Sequence, residues 1–247
     1  MVYKNIFTNI LRRVYIFLTL LISISGYVVK HATIPRTIAI ILSIAGSIYL
    51  FSYQPHNYEL AIFYFITAEV LYISFITLVL SENGFRWWFI RKWGGEHEGY
   101  LAYEATLGFL FFHNAASIGY IASSSSGDLL HFSYKGLLFA ISTIMFTLGF
   151  FVKIWAAKAV SIDIYYWKDM FLGGKIFDFV KTGPYKYFNN PMYGIGQLQG
   201  YAIAIWYGSK YGLLAVLLNQ VLIFSFYYMV EKKFIERAYR CNISTKG

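Results

Sequence analysis

The feature that most constrains this chain is a succession of apolar runs, each close to the length a helix needs to cross a bilayer. About 20 residues at ~1.5 Å each span the ~30 Å hydrocarbon layer. Such runs occupy residues 14–29, 36–53, 59–82, 100–123 and 136–156, and two more fill 192–207 and 211–230. Only Gly208, Ser209, Lys210 and the nearby Gly212 divide the last two, which predicts a tight helical hairpin whose first arm is short for a full span. In lipid every backbone polar group must be satisfied within the protein, so apolar runs of this kind fold as helices. The expected fold is an all-α integral membrane helical bundle with a C-terminal helical hairpin. Composition agrees: 58% of residues are hydrophobic and 13% charged, against about 25% charged in a soluble domain. This excludes intrinsic disorder, a disulfide scaffold and a conventional cytosolic enzyme. The lone cysteine, Cys241, has no partner for an internal disulfide or a metal site.

Charge refines the picture. The chain carries 21 Lys and Arg against 12 Asp and Glu, a net +9, with the basic residues at the ends of apolar runs. That distribution marks membrane anchors rather than a nucleic-acid surface. Residues 14–29, preceded by Arg12 and Arg13, resemble a secretory signal, but no small-residue cleavage site follows and the segment reads as a retained helix. Between 157 and 190 the pattern changes, with Lys158, Asp163, Lys168, Asp169, Lys175, Asp178, Lys181 and Lys186 set among aromatics. This predicts an amphipathic layer at the membrane surface. That layer, the tail after 230 and the 83–99 loop with Arg86, Arg91 and Lys92 hold most of the basic residues, so they are expected on the cytosolic side. Seven crossings would then put Lys4, Arg12 and Arg13 outside, against the rule, so either the N-terminal helix or the short arm fails to cross. The chain shows no internal repeat and no Pro/Gly linker, and reads as a single membrane domain over 1–247 with N-terminal helices in 1–135 and a core in 136–247.

Ionisable groups inside apolar runs are costly and are candidates for function. Glu69, Glu104 and His113 are the cases here. They either pair with one another or with backbone carbonyls in the bundle, or line an ion or proton path; they are few, and no paired half-helices favour a transporter. A second candidate is the stretch from Gly183 to Gly196. Asn190 is a good N-cap and Pro191 a good first helical residue, which predicts a helix start at the membrane surface. Its amides and positive dipole end would attract an anion. Gly194 and Gly196 would let a ligand approach the backbone, although Gly196 and Gly200 also make a small-xxx-small packing pair, which the spacing favours. At the other end of the hairpin Glu231 precedes Lys232 and Lys233. Antiparallel arms would bring it to the height of the 190–196 turn and form a ligand mouth; a solvated interfacial charge is the simpler alternative.

At these stretches the chain resembles the phospholipid N-methyltransferases, the phosphatidylethanolamine methyltransferase family within the isoprenylcysteine carboxyl methyltransferase-like group. The resemblance rests on Asn190-Pro191-Met192-Tyr193-Gly194-Ile195-Gly196 and on Glu231 with Phe234 and Tyr239-Arg240. Upstream, Lys153-Ile154-Trp155-Ala156 and Tyr165-Tyr166-Trp167-Lys168-Asp169-Met170-Phe171 add a third match, so about residues 145–240 are covered. The chain departs from the family in having Asn189-Asn190 before the proline, Glu231-Lys232 in place of a glutamate pair, and Lys168 in place of the glycine before the aspartate. The first departure argues for a phospholipid amine over an isoprenylcysteine substrate; the second leaves the cofactor contact on Glu231 alone.

The resemblance implies a methyltransferase-like core in 136–247 with an interfacial cofactor site for S-adenosylmethionine on the cytosolic side, and no metal. Tyr185, Asn190, Pro191, Met192, Tyr193, Gly194, Gly196 and Glu231 would hold the cofactor, and Glu231, Asp169 and Tyr193 would serve catalysis. The proton acceptor would be Asp169, Glu231 or a water relayed by Asn190 or Tyr193. Tyr185, Tyr187 and Tyr193 could present ring faces to cations, with an interfacial aromatic belt the simpler reading for Tyr185 and Tyr187. The implied reaction is N-methylation of phosphatidylethanolamine, or its mono- and dimethyl forms, toward phosphatidylcholine, with the lipid entering from the bilayer. The implied location is the endoplasmic reticulum in a eukaryote and the cytoplasmic membrane in a prokaryote. The alternatives are a carboxyl methyltransferase of prenylated cysteine and a non-enzymatic scaffold or transporter. The number of methyl groups added and the oligomeric state stay open.

Overall fold

A computed structural model describes residues 2–127, 135–174, 178 and 180–240; the side chain of Lys4, and Lys175 and Cys241 altogether, lie outside the described residues. Every regular element among them is helical: α1 Val2–Ile24, α2 Ile34–Tyr53, α3 Tyr58–Leu80, α4 Arg86–Lys92, α5 Glu96–Ser124, α6 Lys135–Tyr165, α7 Lys168–Leu172, α8 Leu198–Trp206, α9 Lys210–Phe226 and α10 Lys232–Arg240. Residues Tyr227–Glu231 form a π-turn that joins α9 to α10. Among the described residues five helices are long and apolar enough to cross a membrane: α2, α3, α5, α6 and the continuous α9–α10 rod. Their outward faces stay apolar and exposed, as at Ile41, Phe63, Leu71, Ile144 and Leu217, which suits a lipid solvent.

The two ends of the bundle are distinct. At one end Tyr120 donates to the Gln54 carbonyl at 2.6 Å, the Ser125 and Ser209 hydroxyls meet at 2.6 Å, and the Gly127 amide donates to the Tyr207 carbonyl at 2.9 Å. This ties together the α2–α3, α5–α6 and α8–α9 turns. The opposite, basic end holds α4, α7, α10 and the chain around residue 185. There the core is aromatic: Tyr103 stacks on Phe171 at 4.7 Å, and Phe89 meets Phe171 edge-on at 6.3 Å. Packing of this kind is worth about 0.5–1.5 kcal/mol per ring pair beyond its buried area.

Three sequence expectations change. First, α1 begins twelve residues before the apolar run at 14, and α6 continues nine residues past 156. Lys158 and Asp163 therefore ride on the extension of α6. The extension is held by Asp163, which pairs with Lys30 at 2.6 Å and Lys168 at 3.8 Å, and it bends at Ser161, whose φ is 73°.

Second, no helix starts at Pro191. The Gly194 amide closes one turn onto the Asn190 carbonyl at 2.9 Å, and the Gly196 amide reaches back to the Pro191 carbonyl at 2.8 Å. Gly194 then breaks the spiral at φ −87°, ψ −98°, and a 3₁₀ turn over Ile195–Gln197 leads into α8 at Leu198. With those two amides engaged internally, the turn is not the open helix N-terminus that the Asn-Pro pair suggested.

Third, the short arm is short because part of it is unwound. α8 has nine residues, about 14 Å, yet its C-terminus reaches the far end of the bundle. Irregular backbone over 187–197 covers the remaining depth. Such backbone is tolerated in a membrane where protein buries it or where it lines a cavity, and Gln220 secures it by donating to the Tyr193 carbonyl at 3.0 Å. Close approach of α6 permits the rest. A Cβ on Gly149 would lie 2.6 Å from the Gln199 nitrogen, so the two backbones touch where only glycine fits. Gly200 packs on Val216 while Gly196 faces the Lys153 stem, so this small-residue pair serves two different neighbours.

Candidate functional site

The unwound segment, the end of α6, α7 and the α9–α10 rod enclose a cavity of about 230 Å³ opening toward the basic end. Each wall has a local cause. Trp167, in the left-handed region at φ 53°, ends α6 and turns the chain so that α7 points Asp169 inward. Burial of Asp169 is nearly complete at 6% exposure; its Oδ2 accepts from the Tyr239 hydroxyl at 2.5 Å. Its Oδ1 is buried and has no hydrogen-bond partner among the described residues. A lone buried carboxylate oxygen aimed into a cavity is an acceptor awaiting a donor. Glu231 stands at the end of the π-turn, where Tyr193 donates to its Oε2 at 2.8 Å and the Trp167 indole is a further hydrogen-bond neighbour.

Of the residues singled out from sequence, Asp169, Tyr185, Asn190, Pro191, Met192, Tyr193 and Glu231 all line this one cavity. Gly194 and Gly196 do not; they shape the turn behind it. Tyr187 is 66% exposed and points away, in keeping with an interfacial belt. Tyr185 is on the wall, where burial first, then the charges of Glu231 and the Tyr165 phenol, push its hydroxyl well above the ordinary tyrosine range and keep it a neutral donor.

The intramembrane ionisable groups find partners other than one another, although Glu104 Oε1 is buried without a hydrogen-bond partner among the described residues. Glu69 accepts from Asn114 at 2.7 Å and from Asn219 at 3.0 Å, and Gln197 donates to the Asn219 carbonyl oxygen at 2.9 Å. Glu104 is held by His31 at 2.6 Å and Arg36 at 3.3 Å. His113 bridges the Tyr64 and Ser43 hydroxyls at 2.6 and 3.0 Å. Sequence reasoning passed over Asn114, Asn219 and Gln197 and quoted Lys153 only within the family resemblance, without a role; all four line the cavity. The signal was available: amides and a lysine inside apolar runs carry the same cost that drew notice to Glu69.

The arrangement can hold a small cation-bearing ligand. The carboxylates of Asp169, Asp178 and Glu231 and the rings of Tyr185, Tyr193 and Tyr227 line one space at the end of a membrane bundle, so fold and site together define a helical membrane protein with an enzyme-like cavity built mostly from its C-terminal half. Comparison sharpens this. Residues 137–242 match the model of the phospholipid methyltransferase family. Over 111 residues the chain is 31% identical to a phosphatidylethanolamine N-methyltransferase of Eremothecium gossypii, covering 45% of this chain and 13% of that protein. Over 115 residues it is 30% identical to the Kluyveromyces lactis enzyme of the same name, again covering 45% and 13%. The chain thus spans a small part of the length of the curated relatives it matches. No solved structure matches. The likeness to the phospholipid methyltransferase family lies in the C-terminal region, the part of the chain that builds most of the cavity.

Proposed function

We propose that this protein transfers methyl groups from S-adenosylmethionine to the amine of phosphatidylethanolamine or its partly methylated forms, at a site facing the cytosol. The observation that carries the reading is the convergence of Asp169, Tyr193 and Glu231 on one cavity inside the segment matched to the family. The residues present fit the cofactor: its cationic groups would meet the carboxylates of Asp169, Asp178 and Glu231 and the tyrosine rings of the lining, and Asp169 Oδ1 is an acceptor with no partner among the described residues.

S-adenosylmethionine, when bound, supplies a methyl group activated on a sulfonium. The protein's part is alignment, desolvation and proton removal. Alignment of two reactants can contribute up to ~7–11 kcal/mol. Glu231, fixed by Tyr193, holds the cationic cofactor; Tyr193, Tyr185 and Tyr227 exclude water and turn π-faces toward positive charge. Asp169 Oδ1 accepts an N–H of the incoming head-group ammonium and takes its proton, leaving the nitrogen lone pair free to attack. Tyr239 holds the other oxygen of Asp169 and so sets the direction from which the amine approaches. The acyl chains would stay in the bilayer. Purified protein in phosphatidylethanolamine liposomes with methyl-labelled S-adenosylmethionine should yield labelled mono-, di- or trimethylated lipid. Cofactor binding without lipid labelling would overturn the acceptor, and label on a prenylated cysteine peptide instead would favour the carboxyl methyltransferase.

A further inference from the structure

The cavity is acidic toward its mouth and cationic at its inner end. Lys153 projects into it from α6, twelve residues, or about 18 Å of helix, before Tyr165. Its stem passes the bare face of Gly196, where an added Cβ would sit 3.7 Å from the Lys153 Cβ, and its ammonium lies over the Phe111 ring at 5.2 Å. No carboxylate among the described residues pairs with it. The nearest element of like depth on the opposite wall carries Asn219, and Asn114 and Gln197 complete the lining there. Glu69 is already engaged by two of these amides, those of Asn114 and Asn219. An ammonium in a low-dielectric space without a counter-ion is costly, and such groups persist where a partner arrives.

We infer that Lys153 binds the oxyanion of a ligand whose cationic end lies between Asp169 and Glu231, with the Asn219 and Gln197 amides beside it. The inference rests on the methyl-transfer reading, in which both ligands carry an oxyanion beside their positive charge: the cofactor a carboxylate and the lipid head group a phosphodiester. The opposed charges at the two ends of the cavity would fix which way round the ligand lies, a matter of specificity as much as affinity.

The test uses Lys153→Met, which keeps the apolar stem, and Lys153→Arg, which keeps the charge, in the full-length protein in detergent. Binding of S-adenosylhomocysteine is measured by calorimetry beside its decarboxylated analogue. Michaelis constants are measured for phosphatidylethanolamine and for a diacyl aminolipid lacking phosphate. If the carboxylate is the partner, the Met variant loses about 10- to 100-fold in affinity for S-adenosylhomocysteine, as expected for a charge-assisted hydrogen bond, and nothing for the decarboxylated analogue. If the phosphodiester is the partner, homocysteine-analogue binding holds, while the Michaelis constant for phosphatidylethanolamine rises by a similar factor and that for the phosphate-free lipid does not. In either case Lys153→Arg recovers part of the loss. Equal losses for both members of each ligand pair, or no loss at all, would overturn the inference. A wild-type protein that binds no S-adenosylhomocysteine and methylates no lipid would overturn the methyl-transfer reading itself, and this inference with it.

Discussion

Two buried acidic sites in this bundle use similar chemistry to opposite ends. Around Glu69 the carboxylate and the amides of Asn114 and Asn219 satisfy one another, and Gln197 completes the set, so the cluster joins α3, α5, α9 and the entry to α8. Around Asp169 one oxygen is bonded and the other is buried without a partner among the described residues, in a cavity wall. The closed cluster is a fastening; the incomplete one is a receptor. Burial of an acid in a membrane bundle is therefore not by itself evidence of function; Glu104 Oε1 also lacks a partner among the described residues, so it is an open oxygen placed on a cavity wall that sets Asp169 apart.

Substitutions can break this contrast. Glu69→Ala should have the largest effect, lowering stability by about 3–5 kcal/mol because two amides lose a charged acceptor where no water can replace it. Thermal unfolding in detergent would show the loss, and a variant as stable as wild type would mean the cluster fastens nothing. Asp169→Asn should leave the melting temperature nearly unchanged and slow single-turnover methyl transfer by about 10²–10⁴, the usual worth of a positioned base. Retention of full rate would remove Asp169 from catalysis. Glu231→Gln should weaken S-adenosylhomocysteine binding by about 10- to 100-fold, read by calorimetry. Tyr193→Phe, which removes only the donor to Glu231, should lower the same affinity by about 3- to 10-fold. Tyr187→Phe, on the exposed face, should change neither stability nor turnover by more than about 0.5 kcal/mol; a larger effect would place that ring in the site.

The helical bundle was legible because each span is set by a long local run, and the neighbourhood of Glu231 and Tyr193 was legible because a tight hairpin must return its arms to one level. Glu69 stood out from its charge alone, but its partners did not, since Asn114 lies 45 residues away and Asn219 lies 150 away. Nothing local announces such meetings. The misplaced helix start at Pro191 has the same origin: Asn-Pro is a good opening, but Gly194 and the side chain of Gln220 on the next arm settle that backbone instead. Lys153 was hidden inside a stretch read as aromatic and apolar, and its relevance depends on Gly196 leaving room for its stem.

The π-turn at Tyr227–Glu231 has a consequence for angular phase. In a regular α-helix each residue turns the chain about 100°, so Asn219 and Glu231, twelve positions apart, would point about 120° away from each other. A π-turn absorbs one extra residue without adding its rotation, which reduces the effective separation to eleven positions and the offset to about 20°. Asn219 at the inner wall and Glu231 near the mouth consequently look into the same space, along with Ile223 and Tyr227 between them. Winding the same residues as regular α-helix, with none removed, would restore the offset of about 120° and swing the glutamate out of register with everything beneath it.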